Sequence, residues 1–436
     1  MKKITLSAMA MLALSGAAAA GTLTLYTDAA TGQVYTTPGE GRAEMGDFVD
    51  AKTVYEENQA QDSAIVKKDV KAAKKGKTPV YSKASKLKFS GKHYLGYRYR
   101  DQKDSSIDNQ SQFETRRNYF QVKAYMFDNP KSYMRITMDT YQNNNISWKY
   151  DSVDDNNEQA EKQGDSDYGS YDVRLKYAFL YLDNILPYTG VELGMVHRPW
   201  HDYEQKSGYL FRSIAKVFME AKESADLSNS ADLGINFKTK TPYLQTELGV
   251  FNGEGYHQQE MGQGNSFEWR VTGVLTGNGD KKTKPKKTTY AHISSFGQIQ
   301  EESNKVGTRD SDVADGYDFN IYGFHGVYNQ PEFLIAAQYI KSESDAPNDY
   351  KQGDGYSING TYRFGGDKEY GIFGRYDRWD DDKKDYEKEY WLAGAYYDYN
   401  KNVRFIANAI STDKDKTDDV AANKYMDYMF TAEVNW

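Results

Sequence analysis

The stretch KLKFSGKHYLGYRYR, residues 86–100, sets the reading of the chain. Its odd positions, Leu87, Phe89, Gly91, His93, Leu95, Tyr97 and Tyr99, are mostly apolar, whereas Lys88, Ser90, Lys92, Tyr94, Arg98 and Arg100 alternate with them. Successive side chains of a strand point to opposite faces, so this segment offers one face to an apolar phase and one to water. A strand that covers one side of a soluble sandwich alternates in the same way, so the number and length of the repeats must decide.

Sixteen such runs occur, at 86–100, 113–127, 132–142, 170–183, 189–198, 231–239, 242–252, 266–276, 288–298, 316–328, 332–341, 354–364, 369–379, 388–398, 402–411 and 425–436. Most have the ~9 to 11 residues that a tilted strand needs to cross a bilayer. Asp128-Asn129-Pro130-Lys131, Asn329-Gln330-Pro331, Gly365-Gly366-Asp367-Lys368 and Tyr399-Asn400-Lys401 read as tight turns, whereas 143–169, 199–230, 299–315 and 412–424 are long and polar. Short turns at one end and long loops at the other are the pattern of a bacterial barrel, and 277–287 is the one long, Lys-rich link on the turn side. The last run places Tyr428, Phe430, Ala432, Val434 and Trp436 on one face. Only a closed barrel satisfies the backbone of every strand in lipid.

Composition points the same way. The chain has 436 residues with 38 Tyr, 19 Phe and 6 Trp, and Tyr suits both strands and membrane interfaces. At 27% charged residues and a mean hydropathy of -0.84 it is too polar for a bundle of membrane helices. There is no Cys, which excludes disulfides, thiol catalysis and Cys-type metal sites. A net charge of -8 argues against nucleic acid as a partner. Residues 4–20 are free of charge, follow Lys2 and Lys3, and end in Ala18-Ala19-Ala20-Gly21, the order of a secretory signal peptide. The expected organisation is therefore a signal peptide over 1–20, a periplasmic N-terminal extension over 21–85 with a basic cluster from Lys67 to Lys77, and a barrel over 86–436.

Several segments together resemble the phosphate-selective porin family, the O and P type, and the wider set of sixteen-stranded bacterial porins. They are Phe113-Glu114-Thr115-Arg116-Arg117, Ala178-Phe179-Leu180-Tyr181-Leu182, Val191-Glu192-Leu193-Gly194-Met195, Phe218-Met219-Glu220, Gly249-Val250-Phe251-Asn252-Gly253-Glu254-Gly255, residues 331–339, Arg375-Tyr376-Asp377 and Asn402-Val403-Arg404-Phe405. The resemblance covers about residues 86–436. It implies a homotrimer in which the third loop folds into the lumen. The expected fold is thus all-β, a 16-stranded antiparallel transmembrane β-barrel with an inward-folded third loop, set in the cell outer membrane.

The expected function is a water-filled channel for passive diffusion of small hydrophilic solutes and ions, with no enzymatic step, cofactor or metal. On the polar strand faces basic residues outnumber acids, although the whole chain is acidic. Fixed positive charge in a confined lumen raises the local concentration of anions. The candidate pore-lining residues are Lys92, Arg98, Lys123, Arg135 and Arg174 on the strands, Arg198 where the third loop begins, and Arg212 and Lys216 within it. Phe211, Ile214, Val217 and Phe218 are expected to anchor that loop. The alternative is a ladder of cross-strand ion pairs with little preference, because a slip of one residue flips every side chain of a strand. A cation-selective general porin and a surface adhesin with acidic external loops are the other readings. His93 and His197 fall on apparent lipid faces near strand ends, and neither Asp151-Ser152-Val153-Asp154-Asp155 nor Asp380-Asp381-Asp382 keeps an EF-hand spacing.

Overall fold

The alternating runs become strands. The computed structural model describes residues 23–28, 31, 34–35, 37–48, 87–103, 108–125, 129–142, 171–256, 264–301, 317–345, 351–382, 386–414 and 424–436. The expected signal peptide, the basic cluster from Lys67 to Lys77 and the acids from Asp151 to Asp155 lie outside the described residues. The chain divides into two units, 1–84 and 85–436. The first contains a small antiparallel sheet in the order β2-β1-β3, from β1 (Leu23–Asp28), β2 (Val34–Tyr35) and β3 (Arg42–Phe48).

The second unit is a closed antiparallel barrel of sixteen strands. In chain order these are β4 (Leu87–Gln102), β5 (Gln110–Ala124), β6 (Tyr133–Gln142), β7 (Tyr171–Leu186), β8 (Thr189–His197), β9 (Ala231–Lys240), β10 (Leu244–Phe251), β11 (Ser266–Thr276), β12 (Tyr290–Gln300), β13 (Phe319–Asn329), β14 (Phe333–Ser344), β15 (Gly353–Phe364), β16 (Tyr370–Asp381), β17 (Tyr386–Asp398), β18 (Val403–Lys414) and β19 (Tyr425–Asn435). Each matches one alternating run. The last strand pairs with the first, from Tyr425 opposite Gln102 to Asn435 opposite Lys92, so no edge is left open. Trp436 completes the seam: its backbone exchanges two hydrogen bonds with Gly91, and its Nε1 donates to His93 Nε2 at 3.0 Å. The His93 ring also stacks near that of Trp436, with centroids 6.4 Å apart.

Burial confirms the two faces. In β14 Leu334, Ala336 and Ile340 are buried, whereas Ile335 is 55% exposed on the other side. Phe324, Ile293, Ile358, Ile372 and Phe430 are exposed in the same way. An apolar surface that runs around a closed barrel is a surface for lipid.

Two bulges shift the phase where period two would fail, and a positive-φ glycine marks a third irregularity at which the register is unbroken. Tyr94 faces Arg117 but Leu95 faces Thr115, which leaves Arg116 as an extra residue in β5. Thr137 faces Tyr177 but Met138 faces Leu175, which leaves Lys176 extra in β7. Beyond that bulge Val173 and Leu175 point out, while Tyr177 and Phe179 are buried. The third is Gly194 in β8, at φ +122, after which Val196 and His197 are both buried. A Cβ at Gly194 would lie 2.4 Å from the Ala178 carbonyl oxygen. Gly194→Val should therefore destabilise the barrel by about 1 to 3 kcal/mol through backbone strain alone. The loss is read as a lower midpoint of conversion of the folded to the unfolded band on semi-native gels; an unchanged midpoint would refute it.

Candidate functional site

The longest described connection runs from β8 to β9 over 198–230 and holds the only α-helix among the described residues, α1 (His201–Ser207). Its apolar side chains are too many for an external loop, and they bury against the inner faces of distant strands. The Trp200 ring stacks on Phe296 of β12 with centroids 3.6 Å apart, and Phe211 stacks on Phe373 of β16 at 3.9 Å. Phe218 meets Trp379 edge to face. Phe211, Ile214, Val217 and Phe218, the expected anchors, are 3%, 8%, 0% and 0% exposed. Polar clamps accompany them: Tyr290 donates to the Ser207 carbonyl at 2.8 Å, Arg375 to the Lys216 carbonyl at 2.6 Å, and Lys388 to the Ser224 carbonyl at 2.9 Å. The buried Arg375 and Asp377 pair, and Asp377 accepts from Ser224 Oγ at 2.5 Å.

Seated on strands from β12 round to β19, the loop turns Arg212, Lys216 and Glu220 toward β5 and β7. Arg212 Nη1 and Lys216 Nζ lie 2.7 and 3.3 Å from Glu220. Burial opposes ionisation of Glu220, yet Arg212, Lys216 and Lys176 hold its carboxyl well below the usual range. Burial, with Arg212 and Arg117 nearby, pushes the Lys216 ammonium down, against the pull of Glu220. On the wall, Arg117 Nη1 contacts Asp139 at 2.6 Å and Arg174 Nη2 contacts the same oxygen at 3.2 Å. Lys176 sits among the rings of Tyr119, Tyr177 and Tyr256, its Nζ 3.5 Å from Tyr119 Oη. Arg117, Arg174, Lys176, Arg212 and Lys216 thus gather around Asp139 and Glu220.

Cavities lie on both sides of this cluster. One of about 520 Å³ toward the long loops is lined by Arg98, Arg117, Arg174 and Lys216. Another of about 760 Å³ toward the tight turns is lined by Lys123 and Arg135 with Tyr133 and Tyr181. Lys92 stands exposed on the inner face of β4. The structure corrects one expected lining residue. Arg198 is 1% exposed and binds Glu268 and Gln298, so it fastens the start of the loop and presents no surface to a solute. His197 is a second correction: placed on the lipid side by period two, it faces inward after Gly194 and contacts Glu192 at 3.0 Å and Arg135 at 2.9 Å. Alternation with Arg174 already puts Lys176 on the inward face, but Tyr119 and Tyr177 beside it were missed, because the bulge that turns Tyr177 inward leaves Leu175-Lys176-Tyr177 alternating as before.

The cross-strand pairing alternative holds for much of the rest of the wall. Arg100 pairs with Asp427, Arg270 with Glu247 and Arg404 with Asp398, each opposite its partner in the register. Such pairs cancel their own charge. The excess of positive charge is left at β5, β6 and β7, facing Arg212 and Lys216 of a loop that is itself balanced in charge.

The seat of the loop titrates. Burial, helped by Asp377 and opposed by Arg375, pushes the Glu204 carboxyl up to about 7. Burial, helped by Arg198 and Arg212 and opposed by Glu220, pushes the His201 imidazole down to about 3. A raised carboxyl contributes stability that is full below its unfolded value of 4.5 and is lost as pH rises through about 7; a depressed imidazole contributes stability present above 6.5 and lost as pH falls toward 3. The loop should be seated most firmly near about pH 5 to 6. Amide exchange in α1 should therefore quicken on either side, and Glu204→Gln should abolish only the alkaline limb. An alkaline limb that survives in this variant would contradict the assignment.

No family model matches the chain, and no curated protein matches it. Solved structures do match. The anion-selective porin from Comamonas acidovorans superposes with a TM-score of 0.52 at 12% identity, covering 80% of this chain and 99% of that one. Outer-membrane expressed OmpT of Vibrio cholerae gives 0.50 at 14% identity, covering 80% and 97%, and a trimer form of OmpT from the same organism gives 0.50 at 14%, covering 80% and 99%. At these identities the likeness is one of fold. With a closed barrel, an apolar outer belt and short turns opposite long loops, the chain has the fold of outer-membrane porins and is a protein of the bacterial outer membrane.

Proposed function

We propose that the protein is a porin, a channel for passive diffusion of small hydrophilic solutes, with a preference for anions. The observation that carries this reading is the gathering of Arg117, Arg174, Lys176, Arg212 and Lys216 around two acids, Asp139 and Glu220, where the loop meets the wall. Charge fixed in a narrow, low-dielectric passage governs which ion enters, and the guanidinium groups favour carboxylate or phosphate. Such a channel performs no bond chemistry. The neighbour from Comamonas acidovorans is described as anion-selective and one from Vibrio cholerae as a trimer, which supports the same properties here. Within this reading the chain is a homotrimer of the phosphate-selective type, led by a signal peptide over 1–20 and a periplasmic extension over 21–85.

The test is the zero-current potential of the purified protein in a planar bilayer across a KCl gradient. A chloride-selective potential is expected, and competition by phosphate would then test the finer assignment. A potassium-selective potential would establish the cation-selective alternative. Absence of conductance would overturn the channel itself.

A further inference from the structure

We propose that the chamber on the turn side of the constriction is a binding site for a small carboxylate with a cyclic or aromatic body, and that Lys123 and Arg135 hold its carboxylate. The inference rests on the channel reading only for access to the chamber. Lys123 of β5 and Arg135 of β6 are directly opposite each other in the register. Like charges in that position repel and weaken a sheet. Other cations of the wall face a carboxylate, as Arg270 faces Glu247, whereas here like charge runs across three strands, because Lys88 of β4 lies opposite Lys123. Among the described residues neither Lys123 nor Arg135 makes an ion pair with a carboxylate.

The groups around them leave this charge uncancelled. Lys123 Nζ lies 3.8 Å from the centre of the Tyr133 ring, and the Arg135 guanidinium lies 4.6 Å from that of Tyr177. Arg135 also donates through Nε to Thr137 at 3.0 Å and meets His197 Nε2 at 2.9 Å. Glu192, one of five carboxylates that line the same cavity, is already engaged by Lys238 at 3.1 Å and by His197 Nδ1 at 3.0 Å. With Nδ1 donating to Glu192, the His197 ring accepts from Arg135 through Nε2 and stays neutral. A repulsive pair held over rings, with free donors turned to a cavity, is a receptor for an anion.

The cavity describes the body of that anion. Its volume of about 760 Å³ falls within the ~300 to 1,000 Å³ usual for organic ligands, and a bare inorganic ion would leave most of it to water. Tyr133, Tyr181 and Tyr188 supply apolar lining with hydroxyl edges. Tyr188 is 67% exposed and adopts φ +61, which is costly for a bulky residue. Asn184 Oδ1 supports that turn by accepting from the Tyr188 amide at 3.2 Å. The chain thus spends backbone strain to keep an aromatic residue at the rim of a chamber lined by six cations and five carboxylates, in which Lys123 and Arg135 are the cations set side by side.

The experiment is titration calorimetry of the full-length protein in detergent, with benzoate, acetate and inorganic phosphate as probes. Saturable benzoate binding is expected, at least about tenfold tighter than acetate and weakened about tenfold or more in Arg135→Gln and Lys123→Gln, with Lys123→Arg restoring it. Equal affinity for benzoate, acetate and phosphate would overturn the proposal in favour of a general anion patch. Unchanged binding in both glutamine variants, shown folded on semi-native gels, would also overturn it. Parallel bilayer recordings separate the two readings: lack of current sinks the channel while calorimetric binding stands, and anion current without benzoate binding sinks only this site.

Discussion

Trp200→Ala should raise the single-channel conductance and make the current noisy, because it removes the ring on which the first half of the inner loop rests. Trp200 is 3% exposed and stacks on Phe296, and Phe211 repeats the arrangement against Phe373. Truncation of a buried aromatic residue costs about 3 to 5 kcal/mol, part of which is the cavity it leaves. The barrel hydrogen bonds do not depend on these rings, so the loss falls on the loop. Arg375→Ala should act in the same direction by another route. It strands Asp377, which is fully buried, and removes the donor to the Lys216 carbonyl. Breaking one side of a buried pair costs about 3 to 5 kcal/mol. An increase of about twofold or more in conductance is expected for either variant, since the narrowest section sets the current. Folded variants with wild-type conductance would show that the loop does not limit flow.

The second large effect is on selectivity. Lys176→Met and Arg117→Gln each remove a positive charge from the cluster while leaving the loop anchors in place. Lys176 is 4% exposed and among the described residues touches rings and a phenol, while Glu220, which also feels its charge, keeps Arg212 and Lys216, so methionine can occupy its volume without leaving a carboxylate unpaired. Arg117 shares Asp139 with Arg174, so that acid keeps a partner. A chloride-over-potassium permeability ratio reduced about three- to tenfold is expected in the double variant, corresponding to loss of about 0.7 to 1.4 kcal/mol of preference. The effect should shrink in high salt, where screening shortens the reach of fixed charge. Arg198→Ala is a useful contrast: it should impair folding through the orphaned Glu268, with little change of selectivity in the channels that do assemble. An unaltered ratio in the double variant would remove these residues from the selectivity filter.

Much of this was legible along the chain. The strand register of β14, with Leu334 and Ala336 in and Ile335 out, is visible in the order of the residues, because period two in a long strand has only one stable phase between water and lipid. The anchoring role of Phe211, Ile214, Val217 and Phe218 was legible for a related reason: apolar residues in an otherwise polar connection need a surface to cover. The fate of Arg198 was not. An arginine at a loop boundary looks the same whether it faces a passage or is sealed by Glu268, and that acid lies seventy residues away. His197 failed because it turns inward to Glu192 three residues past Gly194, whose positive φ leaves both the register and the hydropathy pattern unchanged.

By itself, then, the sequence determined the sixteen strands, the closed barrel, its two faces and the identity of its inner loop. These follow from local alternation, turn chemistry and the requirement that no backbone group be unpaired in lipid. Tertiary structure alone decided which charges survive as charges. Whether a cation is cancelled depends on what faces it across the lumen, and that is set by two bulges, at Arg116 and Lys176, and by the wall on which the loop comes to rest. Electrostatic energy depends on distance in space, and distance along the chain carries little information about it.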